Sequence, residues 1–205
     1  MTARDEMLND VAARLATLVS ANTVRVGIDG VDAAGKTTLA DELGQRLRAL
    51  RRPVIRSGID HFHNPREVRY AKGSESPDGY YADSFDLDCL IEKLLRPLGP
   101  GGTGRYQTAH FDHRRNLPVD SPEMTAPPAA ILLFDGIFLQ QPRLRPYWDY
   151  RIFVKVGLDV ALARLLRRDL PIGEDPANSG SATDPVTCLV SNVIARSASR
   201  KRVPT

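Results

Sequence analysis

With 205 residues, 42% of them hydrophobic and 26% charged, the chain has the size and composition of a single globular domain. Its net charge of +3 comes from residues 184–205, which carry four basic residues and one acid, so the rest of the chain is neutral overall. A nucleic-acid-binding surface over the rest of the chain is therefore not expected, and no apolar run approaches the ~20 residues that a membrane helix needs. Cys89 and Cys188 lack His or Cys neighbours at metal-ligand spacing, and no signal peptide is recognisable, which predicts reduced thiols in a cytoplasmic protein.

The first predicted element is an amphipathic helix over residues 5–20. Apolar residues recur on one helical face of this stretch, and charged residues occupy the other face. Packing beside the core is the favoured interpretation of this helix, and an interaction helix is the alternative.

Residues 24–43 predict a β-strand, a glycine-rich loop and a helix, in that order. Val24, Val26 and Ile28 alternate as in a strand, and leucines from Leu39 onward recur at helical spacing. Between the two lies Gly-Val-Asp-Ala-Ala-Gly-Lys-Thr, which matches the phosphate-binding pattern G-x-x-x-x-G-K-T. Because strand and helix flank the pattern as its mechanism requires, we expect the loop to bind a nucleoside triphosphate.

The chemistry of this phosphate-binding loop follows from its residue types. Gly30 and Gly35 permit close backbone approach, so that successive N–H groups can face phosphates at the positive end of the following helix. Lys36 is expected to reach the β- and γ-phosphates, and the Thr37 hydroxyl is expected to hold Mg²⁺. The predicted nucleotide-binding residues are Gly30, Val31, Asp32, Ala33, Ala34, Gly35, Lys36, Thr37 and Thr38.

Two later strands are each predicted to lead to a carboxylate. Residues 53–59 favour a strand that ends at Asp60, and ligands of open α/β sheets bind beyond such strand ends. The continuous apolar run 129–136 is typical of a central parallel strand and contains Asp135 near its end. In phosphate-loop proteins an acid at this place helps to hold Mg²⁺, and a cap or turn aspartate is the alternative.

The remaining segments complete an α/β pattern. Residues 64–84 are predicted to be a surface excursion near a site, 86–98 a helix, and 105–128 a hairpin or extended flap. A strand over 150–156 precedes a helix over 159–168. Alternating strands and helices predict a parallel sheet with helices on both faces.

The same residues favour phosphoryl transfer over other triphosphate chemistry. The Asn-Lys-x-Asp stretch usual in guanine-specific proteins is absent from the sequence, and motor proteins tend to be larger and more basic. Asp60 could accept the proton of an attacking hydroxyl group. Arg164, Arg167 and Arg168 could neutralise the transferring phosphoryl group, or they could form a solvated helix face.

Five motifs follow one another along the chain, at residues 27–38, 60–66, 84–88, 97–102 and 133–138. Together they resemble the uridine kinase-like proteins of the phosphoribulokinase/uridine kinase family over roughly residues 20–170. The resemblance implies a P-loop kinase fold, with a parallel sheet between two helical layers and a small hairpin or lid excursion. It also implies that ATP and Mg²⁺ serve to phosphorylate the 5′-hydroxyl of uridine or cytidine.

Positions within these motifs imply the catalytic residues. Asp60 matches the family's catalytic base, and Asp135 falls where the family has a strand-end acid. Arg164 and Arg168 fall in the helix that leads to the lid, and with Lys36 they complete the expected catalytic set.

The resemblance also implies a nucleoside site. Asp86 matches an acid that binds the ribose hydroxyls, Tyr106 matches an aromatic residue near the base, and His63 lies where nucleoside kinases often place a tyrosine. His110 and His113 lie near a family histidine, but their spacing from Tyr106 fits neither, so surface positions are expected for both.

The likeness ends after Asp169. Residues 1–170 are expected to form the kinase domain, and residues 171–205 an atypical tail without the family's later Arg and Tyr positions. The expected partner is a small-molecule nucleoside, with neither nucleic acid nor membrane involved. The alternatives are a kinase of the same fold with another acceptor, such as a phosphosugar or pantothenate, and a nucleotide-binding protein inactivated by its altered tail.

Overall fold

The computed structural model describes residues 2–18 and 20–169, and for residues 168 and 169 it describes the backbone without the side chain. The predicted tail 171–205 therefore lies outside the described residues. The helices are α1 Ala3–Ala16, α2 Lys36–Ala49, α3 Arg66–Arg69, α4 Pro77–Asp83, α5 Leu87–Leu90 and α6 Leu158–Asp169. The strands are β1 Val24–Gly30, β2 Val54–Gly58, β3 Arg105–Tyr106, β4 Phe111–Asp112, β5 Leu117–Pro118, β6 Met124–Thr125, β7 Ile131–Asp135 and β8 Tyr150–Val154.

A parallel sheet of four strands, in the order β2-β7-β1-β8, forms the centre of the described chain. Asp135 at the end of β7 pairs in register with Ile28 of β1 on one side and Gly58 of β2 on the other. The carboxyl ends of these strands therefore meet at one edge, as predicted for an α/β sheet whose ligands bind there.

Helices cover both faces of the sheet, which confirms the predicted three-layer architecture. Because side chains alternate along a strand, Ile131 and Leu133 face one layer while Leu132 and Phe134 face the other. The first layer contains α1 and α2, which pack on each other and on the sheet. The second contains α5 and the helical turn that follows it, together with Trp148.

Two predicted helices differ from the structure at their ends. The first begins at Ala3, earlier than expected, because Thr2 and Asp5 form a reciprocal capping box, and it ends at Ala16. The helix predicted over 86–98 starts as α5 and then widens into a π-helix, Ile91–Leu95, in which the Arg96 N–H bonds to the Ile91 carbonyl at 2.8 Å.

The segments expected to leave the core do so as short elements. The excursion after β2 contains α3 and α4, and the predicted hairpin region contains two antiparallel pairs, β3 with β6 and β4 with β5. Within the described part of the chain, no helix combines the length and apolar character needed to cross a membrane.

Candidate nucleotide and acceptor site

The phosphate-binding loop joins β1 to α2 and depends on backbone shapes that favour glycine. Gly35, the residue before α2, has a φ of 91°, in the left-handed region. At Gly30, where φ is 152°, an added Cβ would lie 2.6 Å from the Val154 carbonyl oxygen of neighbouring β8. The backbone of the loop therefore favours glycine at both predicted positions.

Lys36 is buried and points back across the loop. Its Nζ donates to the carbonyl oxygens of Gly30 at 2.9 Å and Val31 at 2.8 Å. Burial lowers the pKa of Lys36, and the charge of nearby Asp32 opposes that shift most strongly. An ammonium group held among carbonyls at a helix N-terminus fits a polyphosphate ligand.

Thr37 and Asp135 are brought together by the meeting of α2 with the end of β7. The Thr37 hydroxyl donates to Asp135 Oδ2 at 2.6 Å, and Arg56 Nη2 donates to Asp135 Oδ1 at 3.0 Å. A hydroxyl and a carboxylate are hard oxygen donors, which Mg²⁺ prefers. The donor set therefore fits the predicted metal.

Asp60 follows β2 by two residues, in a 3₁₀ turn at Ile59–Phe62, and its side chain is exposed. It lines one cleft of about 1450 Å³ together with Lys36, Thr37, Asp135 and Arg164.

The cleft also brings the arginine of α6 to the predicted site, because Arg164 borders it as Asp60 does. Arg164 lies over the phosphate-binding loop, with Nη1 3.4 Å from the Ala34 carbonyl oxygen. The side chain of Arg168, also predicted to be catalytic, lies outside the described residues.

The sequence model of the "Phosphoribulokinase / Uridine kinase family" matches residues 25–174, most of the chain. The chain belongs to this family.

Relatives with assigned names agree with this placement. The chain is 32% identical over 148 residues to uridine-cytidine kinase B of Dictyostelium discoideum, and 28% identical over 145 residues to uridine kinase-like protein 3 of Arabidopsis thaliana. The matched regions cover 71% and 70% of this chain but only 58% and 30% of those relatives.

Solved structures support the fold. A Bacillus stearothermophilus protein named a possible uridine kinase superposes with a TM-score of 0.67 at 22% identity, over 80% of this chain and 86% of that one. D-glycerate 3-kinase from Cryptococcus neoformans superposes with a TM-score of 0.60 at 12% identity, over 96% and 87% of the two chains.

The residues that the uridine kinase family implies for the nucleoside do not line the cleft that contains Asp60. Asp86 caps α5 by accepting from the Cys89 N–H at 2.9 Å, and Tyr106 is buried in the apolar cluster beneath α5. The ring of His63 lies 3.0 Å, at Nδ1, from the Asp60 carbonyl oxygen. Their assignment to a nucleoside stays a prediction.

His110 and His113 do not occupy the surface positions expected for them, because both side chains are half-buried. The ring of His113 stacks on His63 with centroids 4.5 Å apart, and His113 also lines the cleft. His110 lies beside Asp86 and Cys89, their polar side-chain atoms all within 4.8 Å of one another. Burial raises the pKa of the Cys89 thiol to about 11, which leaves it protonated and unreactive.

Three residues around the loop were not found from the sequence. Arg56 holds Asp135, Asp29 accepts from the N–H groups of Gly30 and Gln140 at 2.7 and 3.0 Å, and the Tyr80 hydroxyl donates to Asp32 at 2.9 Å. Each contact except the one to Gly30 joins distant parts of the chain, so no local pattern could have indicated it. Asp29 directly precedes Gly30, so its contact with the Gly30 N–H is the one that a local sequence pattern could have indicated.

Proposed function

We propose that this chain is an ATP- and Mg²⁺-dependent kinase that phosphorylates a hydroxyl group of a small molecule. The observation that carries the proposal is the single cleft lined by Lys36, Thr37, Asp60 and Asp135. It combines a phosphate-binding lysine, hard oxygen donors for Mg²⁺ and an exposed carboxylate, and these are the parts that phosphoryl transfer requires.

Each residue has a role in that reaction. Residues 30–38 would bind the phosphates of ATP, while Lys36 and Arg164 offset the charge of the transferring group. Thr37 and Asp135 would hold Mg²⁺, which neutralises charge on the β- and γ-phosphates when bound. Asp60 would accept the acceptor's hydroxyl proton as that oxygen bonds to the γ-phosphorus and the bond from phosphorus to the ADP oxygen breaks.

Two classes of acceptor are open to this site. The names of the relatives suggest the 5′-hydroxyl of uridine or cytidine, and Asp86, Tyr106 and His63 would then contact the nucleoside. A second class is another small hydroxyl compound. One observation favours it: the three predicted nucleoside residues do not line the cleft that contains Asp60. A cytoplasmic location, predicted from the sequence, fits either class.

The first test replaces the proposed base. Asp60→Asn removes the proton acceptor but keeps the size of the side chain, so we expect acceptor-dependent ADP formation to fall about 10²- to 10⁴-fold. Binding of ATP, measured by equilibrium dialysis, should change little because the phosphate-binding loop is intact. Rates are compared with uridine, with cytidine and without acceptor.

Asp78→Asn is the matched control, since Asp78 is an exposed acid of α4 that does not line the cleft. If Asp60→Asn retains the parent rate, the proposed base is wrong. ATP binding without turnover on any acceptor would instead support the inactive nucleotide-binding alternative.

A further inference from the structure

Asp86, Cys89 and His110 form a cluster outside the cleft that contains Asp60. One side-chain ligand atom from each, a carboxylate oxygen, a sulfur and a ring nitrogen, lies within 4.8 Å of the other two. Cys89 is buried, and the other two residues are half-buried. None of the three lines the cleft. The cluster is therefore a set of ligand atoms separate from the proposed Mg²⁺ site.

Each of the three side chains keeps an atom without a hydrogen-bond partner among the described residues. Asp86 accepts from the Cys89 N–H through Oδ1 at 2.9 Å, and its Oδ2 accepts from no described group. The Cys89 thiol is free and makes no hydrogen bond there. His110 Nδ1 lies 3.5 Å from Lys93 Nζ, which leaves Nε2 without a partner. Three side chains with unused lone pairs therefore meet in one partly buried place, where polar groups are normally satisfied.

The backbone holds these side chains in position before any ligand binds. The Asp86 N–H donates to the Phe62 carbonyl at 2.8 Å, and the Asp86 carboxylate caps α5, which fixes it beside Cys89. His110 lies between β3 and β4, where its N–H donates to the His61 carbonyl at 2.9 Å. Because these ligands come from separate segments, their spacing along the chain did not indicate a metal site.

The types of ligand atom in the cluster select the metal. Thiolate, imidazole and carboxylate groups are ligands of Zn²⁺, whereas Mg²⁺ and Ca²⁺ prefer oxygen ligands alone. Three protein ligands leave the fourth position of a tetrahedral zinc ion to water. Binding would form a bond from zinc to Cys89 Sγ while the thiol proton passes to solvent, with no change of oxidation state.

Lys93 is compatible with a metal at this place. Its contact with His110, at 3.5 Å, is at the outer limit of a hydrogen bond. No carboxylate of the described residues pairs with Lys93, so no ion pair holds the ammonium group beside the cluster. Its flexible four-carbon stem allows it to turn away when a divalent cation binds.

We propose that Asp86, Cys89 and His110 bind Zn²⁺ and that the ion holds α5 to the segment between β3 and β4. Ala109 and Phe111, on either side of His110, line the cleft, so the ion would stabilise one wall of the proposed acceptor site. The inference does not depend on phosphoryl transfer. It engages Asp86 with a metal, and so agrees with an acceptor other than a nucleoside.

Cobalt is the spectroscopic probe for this site. The full chain, reduced and dialysed against EDTA and then against buffer, is titrated with Co²⁺ in excess Mg²⁺, which occupies the site at Thr37 and Asp135. We expect one Co²⁺ per chain and a thiolate-to-cobalt charge-transfer band in the near ultraviolet, which requires a cysteine ligand. Zn²⁺ should then displace Co²⁺ and remove the band, because such sites bind zinc more tightly than cobalt. The displacement curve gives the affinity for Zn²⁺.

Variants assign the metal to these three residues. Cys89→Ser should abolish the band, and Cys188→Ser, which changes the other cysteine of the chain, should retain it. Asp86→Asn still caps α5, so its effect reports on the metal and not on the helix. We expect Asp86→Asn and His110→Gln each to weaken Zn²⁺ binding at least about tenfold. His61→Gln, at an exposed position, is the matched control and should keep the parent affinity.

The outcomes decide the inference without reference to activity. No thiolate band in excess Co²⁺, or a band that is lost in Cys188→Ser and retained in Cys89→Ser, would overturn the zinc site. Parent affinity in both Asp86→Asn and His110→Gln would also overturn it. The titrations of the unaltered chain and of Cys188→Ser change nothing within the cluster, so they stand even where another variant fails to fold. Zn²⁺ that raises Tm in the parent but not in Cys89→Ser would support the structural role, and an equal rise in both would contradict it.

Discussion

At the scale of single residues, Asp135 shows how the proposed metal site is held before any metal binds. One carboxylate oxygen accepts from Thr37 and the other from Arg56. Arg56 is itself fixed, since its guanidinium donates to the Leu133 carbonyl at 2.8 Å and pairs with Asp41 at 2.9 Å. The direction of Asp135 is therefore set by β2 as well as by the loop.

Replacing Arg56 should weaken the metal site without affecting the nucleotide. Arg56→Gln frees one oxygen of Asp135, so we expect the Mg²⁺ concentration for half-maximal ADP formation to rise about tenfold. Binding of ATP in the presence of EDTA should stay at the parent value. Arg51→Gln, at an exposed position, serves as control. An unchanged Mg²⁺ requirement in Arg56→Gln would mean that this arginine does not orient the acid.

His63 should make the stability of the chain depend on pH. Burial lowers its pKa from the ordinary 6.5 to about 4, so the unfolded chain binds a proton that the folded chain does not bind within that window. The contribution of His63 to stability is fully present at pH values above its unfolded-state pKa of 6.5. It should be lost as the pH falls towards the folded-state pKa of about 4. His63→Phe, which keeps a stacking ring, should show a flatter urea midpoint between about pH 7 and about pH 4. If His63→Phe and His61→Gln lose stability equally with acid, His63 does not titrate in this way.

At the scale of elements, α4 is attached to the phosphate-binding loop. Tyr80 donates to Asp32 of the loop, and its ring meets Phe138 edge-on at 5.4 Å. Tyr81 contacts the same ring at 5.0 Å, and Phe138 has a φ of 58°, a strained backbone shape that this packing holds. The excursion after β2 is thus connected to the segments that follow β1 and β7.

Removing the hydroxyl of Tyr80 tests this attachment. Tyr80→Phe keeps the ring contact but loses a hydrogen bond to a carboxylate, so the free energy of unfolding should fall by about 1 to 3 kcal/mol in urea titrations. Tyr81→Phe deletes the same atom from the neighbouring, more exposed ring and should cost less than about 0.5 kcal/mol. Equal effects of the two variants would contradict a specific link between α4 and the loop.

At the scale of the whole molecule, the proposed catalytic groups lie together at one edge of the sheet. Parallel strands place their carboxyl ends together, so acids from β2 and β7 reach the loop that follows β1. A ligand bound there contacts several strands and helices of the fold at once. Its binding energy should therefore stabilise the entire domain.

Thermal unfolding measures this linkage. Mg²⁺ and ATP at a hundredfold excess over the dissociation constant should add about 2.7 kcal/mol to the free energy of unfolding and raise Tm. Lys36→Met should abolish the shift, because the ammonium group that faces the phosphates is gone. A shift of parent size in Lys36→Met would place the nucleotide elsewhere.

The sequence by itself determined the features that depend on neighbouring residues. The loop 30–37, the order of strands and helices, and the acids Asp60 and Asp135 could all be read locally, because turn geometry and side-chain period are set within a few residues. Only the tertiary structure decided that Arg56 would hold Asp135 and that Tyr80 would donate to Asp32. These contacts depend on which distant segments of the chain pack together. Only that packing decides whether a charged side chain is buried beside a partner.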